Sequence, residues 1–282
     1  MGRKINPLFY ASCSNDDLLS DSYTADVLPY LHEILSQRGG MLQLNCDAGE
    51  SFGSWTMGLD EAIMPFIDMA NFACGFHAGD PLIMERSIKL AIKHGVTIGA
   101  HPSYPDLVGF GRRSMACSLE EIEAMVIYQI AALQGFAHAN GTSIAYVKPH
   151  GALYNDMMKD EKIFRAIIKA VARFNASLKV MILSTVDTSR YDAIAHECGI
   201  TLLYEVFADR AYDEQGFLVP RSQKGAVIHD VNAVIKRLKL LQTEGLLETI
   251  SGQKIPLKAD TLCVHGDNEE AVALVETLRK SL

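Results

Sequence analysis

No two cysteines in this sequence are spaced as CxxC; the six (Cys13, Cys46, Cys74, Cys117, Cys198 and Cys263) stand singly. That argues against a structural zinc site built on paired thiolates, and for a reduced, cytosolic chain. A basic excess is also missing. The 26 Lys and Arg are outnumbered by 34 Asp and Glu, a formal charge of −8, with both signs interspersed. Binding nucleic acid over the whole surface needs a basic footprint, so no nucleic-acid partner is expected. No uninterrupted apolar run reaches the roughly 20 residues of a membrane span, and the N-terminus has no basic start followed by an apolar stretch. The expectation is a soluble, cytoplasmic protein with no membrane partner. The P-loop pattern GxxxxGK[ST] occurs nowhere either, which removes the commonest sequence signature for nucleotide phosphates.

What is present is a globular composition: 282 residues, 49% hydrophobic and 21% charged. That length suits one large α/β domain or two small ones, with a core large enough to need no disulfides. From Met41 onward one rhythm repeats: a short apolar run, a turn rich in Gly, His and Asp, then an amphipathic segment. Seven runs read as strands: MLQLNC, DMANFAC, VTIGA, IAYVK, KVMILS, TLLYEVF and TLCVH. Between them lie helical patterns. Met84, Ile88, Ala91 and Ile92 fall on one helical face, with Asp80 as N-cap, Pro81 at the first helical position and Gly95 as the stop. Ser118 to Glu121 is a capping box opening a long helix that ends near Asn140-Gly141. Strands alternating with helices imply a parallel sheet, doubly wound or closed. The polar signatures repeatedly follow strand C-termini, where a (β/α) barrel carries its active site, so the fold expected is an α/β, seven-stranded (β/α) barrel over 41–282. Residues 1–40 break the rhythm. They are read as an N-terminal extension, non-native or flexible, with an amphipathic segment TADVLPYLHEILSQR before a natural start at Met41.

Six polar sets sit at strand ends. In LNCDAGESFGSW, Asn45, Asp47 and Glu50 suit acid–base work or metal binding, or else satisfy turn backbone groups. In ANFACGFHAGDP, Asp80 is the helix cap, and Cys74 reads as a buried packing residue rather than a nucleophile, which would need an activating base within reach. His77, between turn glycines, is what that stretch leaves for function. His101 directly follows a strand in GAHPSYPD, in a loop stiffened by Pro102 and Pro105. The nearby Arg112 and Arg113 read as anion binders or as a surface pair. Lys148 and His150 flank Pro149 at another strand end, with Tyr154 and Asn155 beyond. Glu205 lies inside an apolar run, costly unless paired or facing a cavity. Asp209 and Arg210 end that strand ahead of Tyr212; Arg210 is either a carboxylate clamp or half of a surface pair. His265 and Asp267 close the series, Asp267 serving equally as a helix cap. Convergence of so many sets on one rim argues for an enzyme.

The stretches LNCDAGESFGSWTMG, ANFACGFHAGDP, GAHPSYPD, VKPHGALYN, EVFADRAY and VHGDN resemble, in order, the signatures of the LamB/YcsF family. The family's first motif reads DLNADLGE. Here Asn45, Asp47, Gly49 and Glu50 are kept, with Gln43 where an aspartate is typical and Cys46 in place of alanine. The resemblance implies a barrel similar to those of glycoside hydrolases and deacetylases. It also implies the A-subunit role in bacterial-type 5-oxoprolinase: ATP-dependent opening of the lactam 5-oxo-L-proline to L-glutamate, shared with B and C subunits. ATP, with Mg2+, would be a co-substrate bound with those partners; a protein-bound metal is left open. In that reading Asp47 or Glu50 is the general base or positions water, while His77, His101 and His150 stabilise or protonate the reacting centre. Lys148 and Arg210 hold the substrate carboxylate or the phosphate, with Asn45, Asp209 and His265 as further substrate-binding residues. Two other readings are a stand-alone metal-dependent deacetylase-like hydrolase and a non-catalytic subunit that binds a small acid. The sequence is compatible with a homo-oligomer.

Overall fold

Period-two alternation explains how the apolar runs build both a wall and a site. The computed structural model of the chain describes residues 42–228, 230–266 and 268–280. Seven parallel strands close into a barrel: β1 (Gln43–Ala48), β2 (Met69–Ala73), β3 (Thr97–His101), β4 (Tyr146–Val147), β5 (Lys179–Leu183), β6 (Leu202–Phe207) and, after a short antiparallel pair β7 (Leu246–Glu248) and β8 (Lys254–Pro256), β9 (Thr261–Val264). Closure is made by β9, which pairs Cys46 with Val264 on one side and Phe207 with Cys263 on the other. The seven expected strands are all present and all belong to the barrel. The β7–β8 hairpin was not expected: strands of three residues are too short to leave a periodic pattern.

One face of each strand packs outward against helices, in a large core that includes Leu44, Phe72, Ile98, Val147, Ile182 and Val206. The other face fills the barrel. Met69, Tyr146 and Met181 form a small separate apolar cluster. Gly99 makes room for it, since a Cβ there would lie 2.2 Å from the Tyr146 ring. Beyond that cluster the filling becomes polar, with Asn45, Asn71, Lys148, Glu205 and Thr261 all buried.

The helices are α1 (Asp60–Ile63), α2 (Pro81–His94), α3 (Leu119–Ala139), α4 (Gly151–Lys159), α5 (Glu161–Asn175), α6 (Ser189–Glu197), α7 (Val231–Glu244) and α8 (Glu269–Lys280). Asp80 caps α2 as expected: its Oδ1 accepts from the backbone N–H groups of Leu82 and Ile83, and Gly95 ends the helix in the left-handed conformation. Ser118 and Glu121 form the reciprocal capping box of α3, which is capped at its far end by Asn140. One helical expectation needs correcting. Met84, Ile88 and Ala91 are buried, but Ile92 is 45% exposed, because the buried stripe of α2 is narrower than the apolar one. Asp267 and the extension at 1–40, including its amphipathic segment, lie outside the described residues. Among the described residues, no helix is long and apolar enough to cross a membrane.

Candidate active site

The polar layer of the barrel is one connected network. Asn45 donates to Thr261 Oγ1 at 2.9 Å and accepts from Asn71 at 2.9 Å. Asn71 also donates to Asp47 Oδ1 at 2.8 Å, and is itself held by the Tyr146 hydroxyl at 2.7 Å. Lys148 reaches across to Asn45 at 3.2 Å, Asp47 at 3.1 Å and Glu205 at 2.9 Å. Glu205, the acid inside an apolar run, is thus paired with Lys148 and also accepts from the Tyr154 hydroxyl at 2.6 Å. Burial works to lower the pKa of Lys148, but its anionic neighbours, Asp47 and Glu205 among them, outweigh it and hold the ammonium well above its usual pKa. Burial likewise opposes the charge on Asp47. His101 and Lys148 overcome it and keep that carboxyl well below the usual carboxylate range.

Above this layer His77, His101 and His150 come together, from three separate strand ends. His77 and His150 stack with ring centroids 3.8 Å apart, and His101 meets both edge-on. Their outer nitrogens are anchored: His101 Nδ1 to the Lys148 carbonyl at 2.6 Å, His150 Nε2 to the Phe110 carbonyl at 2.9 Å, and His77 Nδ1 to Ser103 Oγ at 3.0 Å. Burial, reinforced by the neighbouring imidazoles, pushes His77 well below its usual pKa and His150 down to about 3, so both rings are neutral near pH 7. Glu50 Oε1 lies 3.6 Å from His77 Nε2 and 3.7 Å from His150 Nδ1, and Asp47 Oδ2 lies 3.4 Å from His101 Nε2.

The network opens into a cavity of about 370 Å³, lined by Asp47, Glu50, His101, Lys148, His150, Arg112, Arg210, Arg221 and His265 among others. Arg210 and His265 therefore share the cavity with the histidines. Arg210, however, is buried, and two of its donors are already used by the carbonyls of Ala226 and Val219, at 3.2 and 2.7 Å. It does not pair with Asp209. Asp209 accepts instead from His265 at 2.9 Å, a bond that holds the carboxyl below its usual range against the effect of burial. Arg113 is tied to Asp106, leaving Arg112 at the cavity. Cys74 is buried and its thiol is pushed up to about 12, which removes it as a nucleophile near neutrality.

Sequence reading missed four contributors. Asn71 and Tyr146 lie within runs read only as strands. An asparagine on the inward alternation of an apolar strand is the signal that could have found the first. Phe110 and Gly111 carried no signal of their own, yet the Phe110 carbonyl holds His150 and Gly111 packs against His150 and His77.

Comparison with known proteins agrees with this geometry. The model of the LamB/YcsF family matches residues 42–282. A Chromohalobacter salexigens protein, named as the A subunit of 5-oxoprolinase, is 54% identical over 236 residues, 84% of this chain and 94% of its own. A protein of the same name from Vibrio campbellii is 54% identical over 241 residues, covering 86% of this chain and 95% of its own. The crystal structure of the lactam utilization protein from Thermus thermophilus superposes with a TM-score of 0.79 at 42% identity, over 86% of this chain and 95% of that one.

Proposed function

Because the chain belongs to the LamB/YcsF family, we propose that it is the A subunit of a 5-oxoprolinase, opening 5-oxo-L-proline to L-glutamate with ATP hydrolysis and with B and C partner subunits. The observation that carries the substrate is the 54% identity to relatives of that name over nearly their whole length. The cavity supplies groups suited to the chemistry.

A five-membered lactam resists hydrolysis because amide resonance makes its carbonyl a poor electrophile. Transfer of the ATP γ-phosphoryl group to the carbonyl oxygen forms a P–O bond there and releases ADP. Resonance is then lost, and water can attack the ring carbon. The C–N bond breaks with a proton passing to nitrogen, leaving an acyl phosphate that a second water hydrolyses to glutamate and phosphate. The barrel's part is to hold the lactam and aim the water. Asp47 presents an ionised carboxylate to the cavity. A carboxylate held so low is a weak base, so the rate rests on orientation and on the activated carbonyl rather than on base strength. The three protons of Lys148 are directed at Asn45, Asp47 and Glu205, so it positions Asp47 rather than gripping an anion. Anion holding passes to Arg112 and Arg221 at the cavity, together with the three N–H groups of Arg210 that the two carbonyls leave. His265, oriented by Asp209, contributes a polar group to the cavity wall.

The absence of a P-loop fits phosphoryl transfer completed jointly with the partners. The test is 5-oxoproline-dependent release of ADP and glutamate by the purified chain alone and with its B and C subunits. Activity is expected only from the assembly. Full activity of the isolated chain would contradict the shared-enzyme reading, and an inactive assembly would contradict the substrate.

A further inference from the structure

We propose that His77, His101, His150 and Glu50 form a binding site for one divalent first-row transition-metal ion, of the zinc and cobalt class.

The hydrogen bonds on the outer side of each ring fix where its lone pair points. Backbone carbonyls only accept, so His101 carries its proton on Nδ1, facing Lys148, and His150 carries its own on Nε2, facing Phe110. The Ser103 hydroxyl donates to the Tyr104 carbonyl at 2.7 Å, so it accepts from His77 Nδ1. The other nitrogen of each ring, His101 Nε2, His150 Nδ1 and His77 Nε2, therefore faces inward and offers its lone pair for coordination. These acceptors face one another and a carboxylate. His101 Nε2 lies 2.9 Å from His150 Nδ1, and Glu50 Oε1 lies 3.6 Å from His77 Nε2 and 3.7 Å from His150 Nδ1. All four donor atoms fall within 4.8 Å of one another.

Such a convergence of lone pairs needs a positive charge at its centre. One shared proton between His101 and His150 relieves that contact alone. It leaves His77 Nε2 buried with no hydrogen-bond partner among the described residues. A cation bound by all four relieves every contact at once. Metal–ligand distances of about 2.1 Å with angles of roughly 90–110° put neighbouring ligand atoms about 3.0–3.4 Å apart, close to the 2.9, 3.6 and 3.7 Å between the neighbouring pairs here. Imidazole and carboxylate donors suit zinc, cobalt and their neighbours rather than calcium or magnesium. Anchoring each ring's far nitrogen to a carbonyl or hydroxyl is what a metal-ligating histidine requires. Glu50, His101 and His150 also line the cavity, so the ion's remaining coordination positions would face it. The donor geometry carries this independently of which small molecule the cavity takes.

The test uses the full chain, dialysed against a chelator and titrated with Co2+. Visible absorption reports the coordination and metal analysis after desalting reports the stoichiometry. One equivalent per chain is expected, displaced by Zn2+. His101→Ala should weaken binding at least about a hundredfold, and Ser103→Ala, which removes only an anchoring bond, about tenfold to a hundredfold. Circular dichroism confirms folding. If His101→Ala does not fold, Glu50→Gln, at the cavity edge, replaces it with the same expected loss. A wild-type chain that retains no stoichiometric metal would overturn the proposal, and so would folded variants that bind as tightly as wild type; a chain that binds metal yet opens no lactam leaves the metal site standing.

Discussion

Lys148 is buried, with Asp47 and Glu205 at 3.1 and 2.9 Å on either side of its ammonium. Removing one member of such a group strands a charge away from water, which costs about 3–5 kcal/mol, whereas removing opposite charges together is far milder. We therefore expect Lys148→Met to lower stability by about that much in denaturant unfolding, and Glu205→Gln added to it to restore part of the loss. Purely additive losses would show that Lys148 and Glu205 do not depend on each other. The sequence showed that Glu205 needed a partner, because an acid within TLLYEVF cannot be buried alone. It did not show which one, since Lys148 lies 57 positions earlier and meets it only because β4, β5 and β6 lie side by side in the sheet. Arg210 shows the same limit from the other side. Its guanidinium read as a carboxylate clamp or half of a surface pair, yet two of its five N–H groups go to local carbonyls.

The loop joining β3 to α3 is the element that shapes the histidine cluster. Ser103 anchors His77, the Phe110 carbonyl anchors His150, and Gly111 lies under both rings at φ +63°. A Cβ at Gly111 would sit 2.8 Å from His150 Cδ2 and 2.9 Å from His77 Cβ. Gly111→Ala combines that crowding with a left-handed backbone, so a loss of about 1–3 kcal/mol is expected in thermal unfolding. A change within about 0.5 kcal/mol would mean the loop can yield. Elements with local rules were legible in advance: the Asp80 cap, the Ser118 capping box and the Gly95 stop each act within a few residues. Phe110 and Gly111 were not, because their role depends on rings contributed by the loop after β2 and by the end of β4. The β7–β8 hairpin escaped for a different reason, its brevity.

For the whole molecule, barrel closure turns scattered motifs into one site. Asn45 and Thr261 are 216 positions apart in the chain yet share a hydrogen bond, because β9 seals the sheet against β1. Repetition of strand, polar turn and helix was enough to read a seven-stranded barrel and to place the polar sets on one rim. Mutual distances and tautomers were beyond it, since they depend on how the strands are staggered around the barrel. The central claim is that this chain does chemistry on the lactam and does not merely bind it. Its most direct test is the rate of 5-oxoproline-dependent glutamate release by the complex of B, C and this chain carrying Asp47→Asn, beside the wild-type complex. With assembly intact, the rate should fall by at least about a hundredfold; an unchanged rate would place the chemistry elsewhere in the complex and leave this barrel a binding protein.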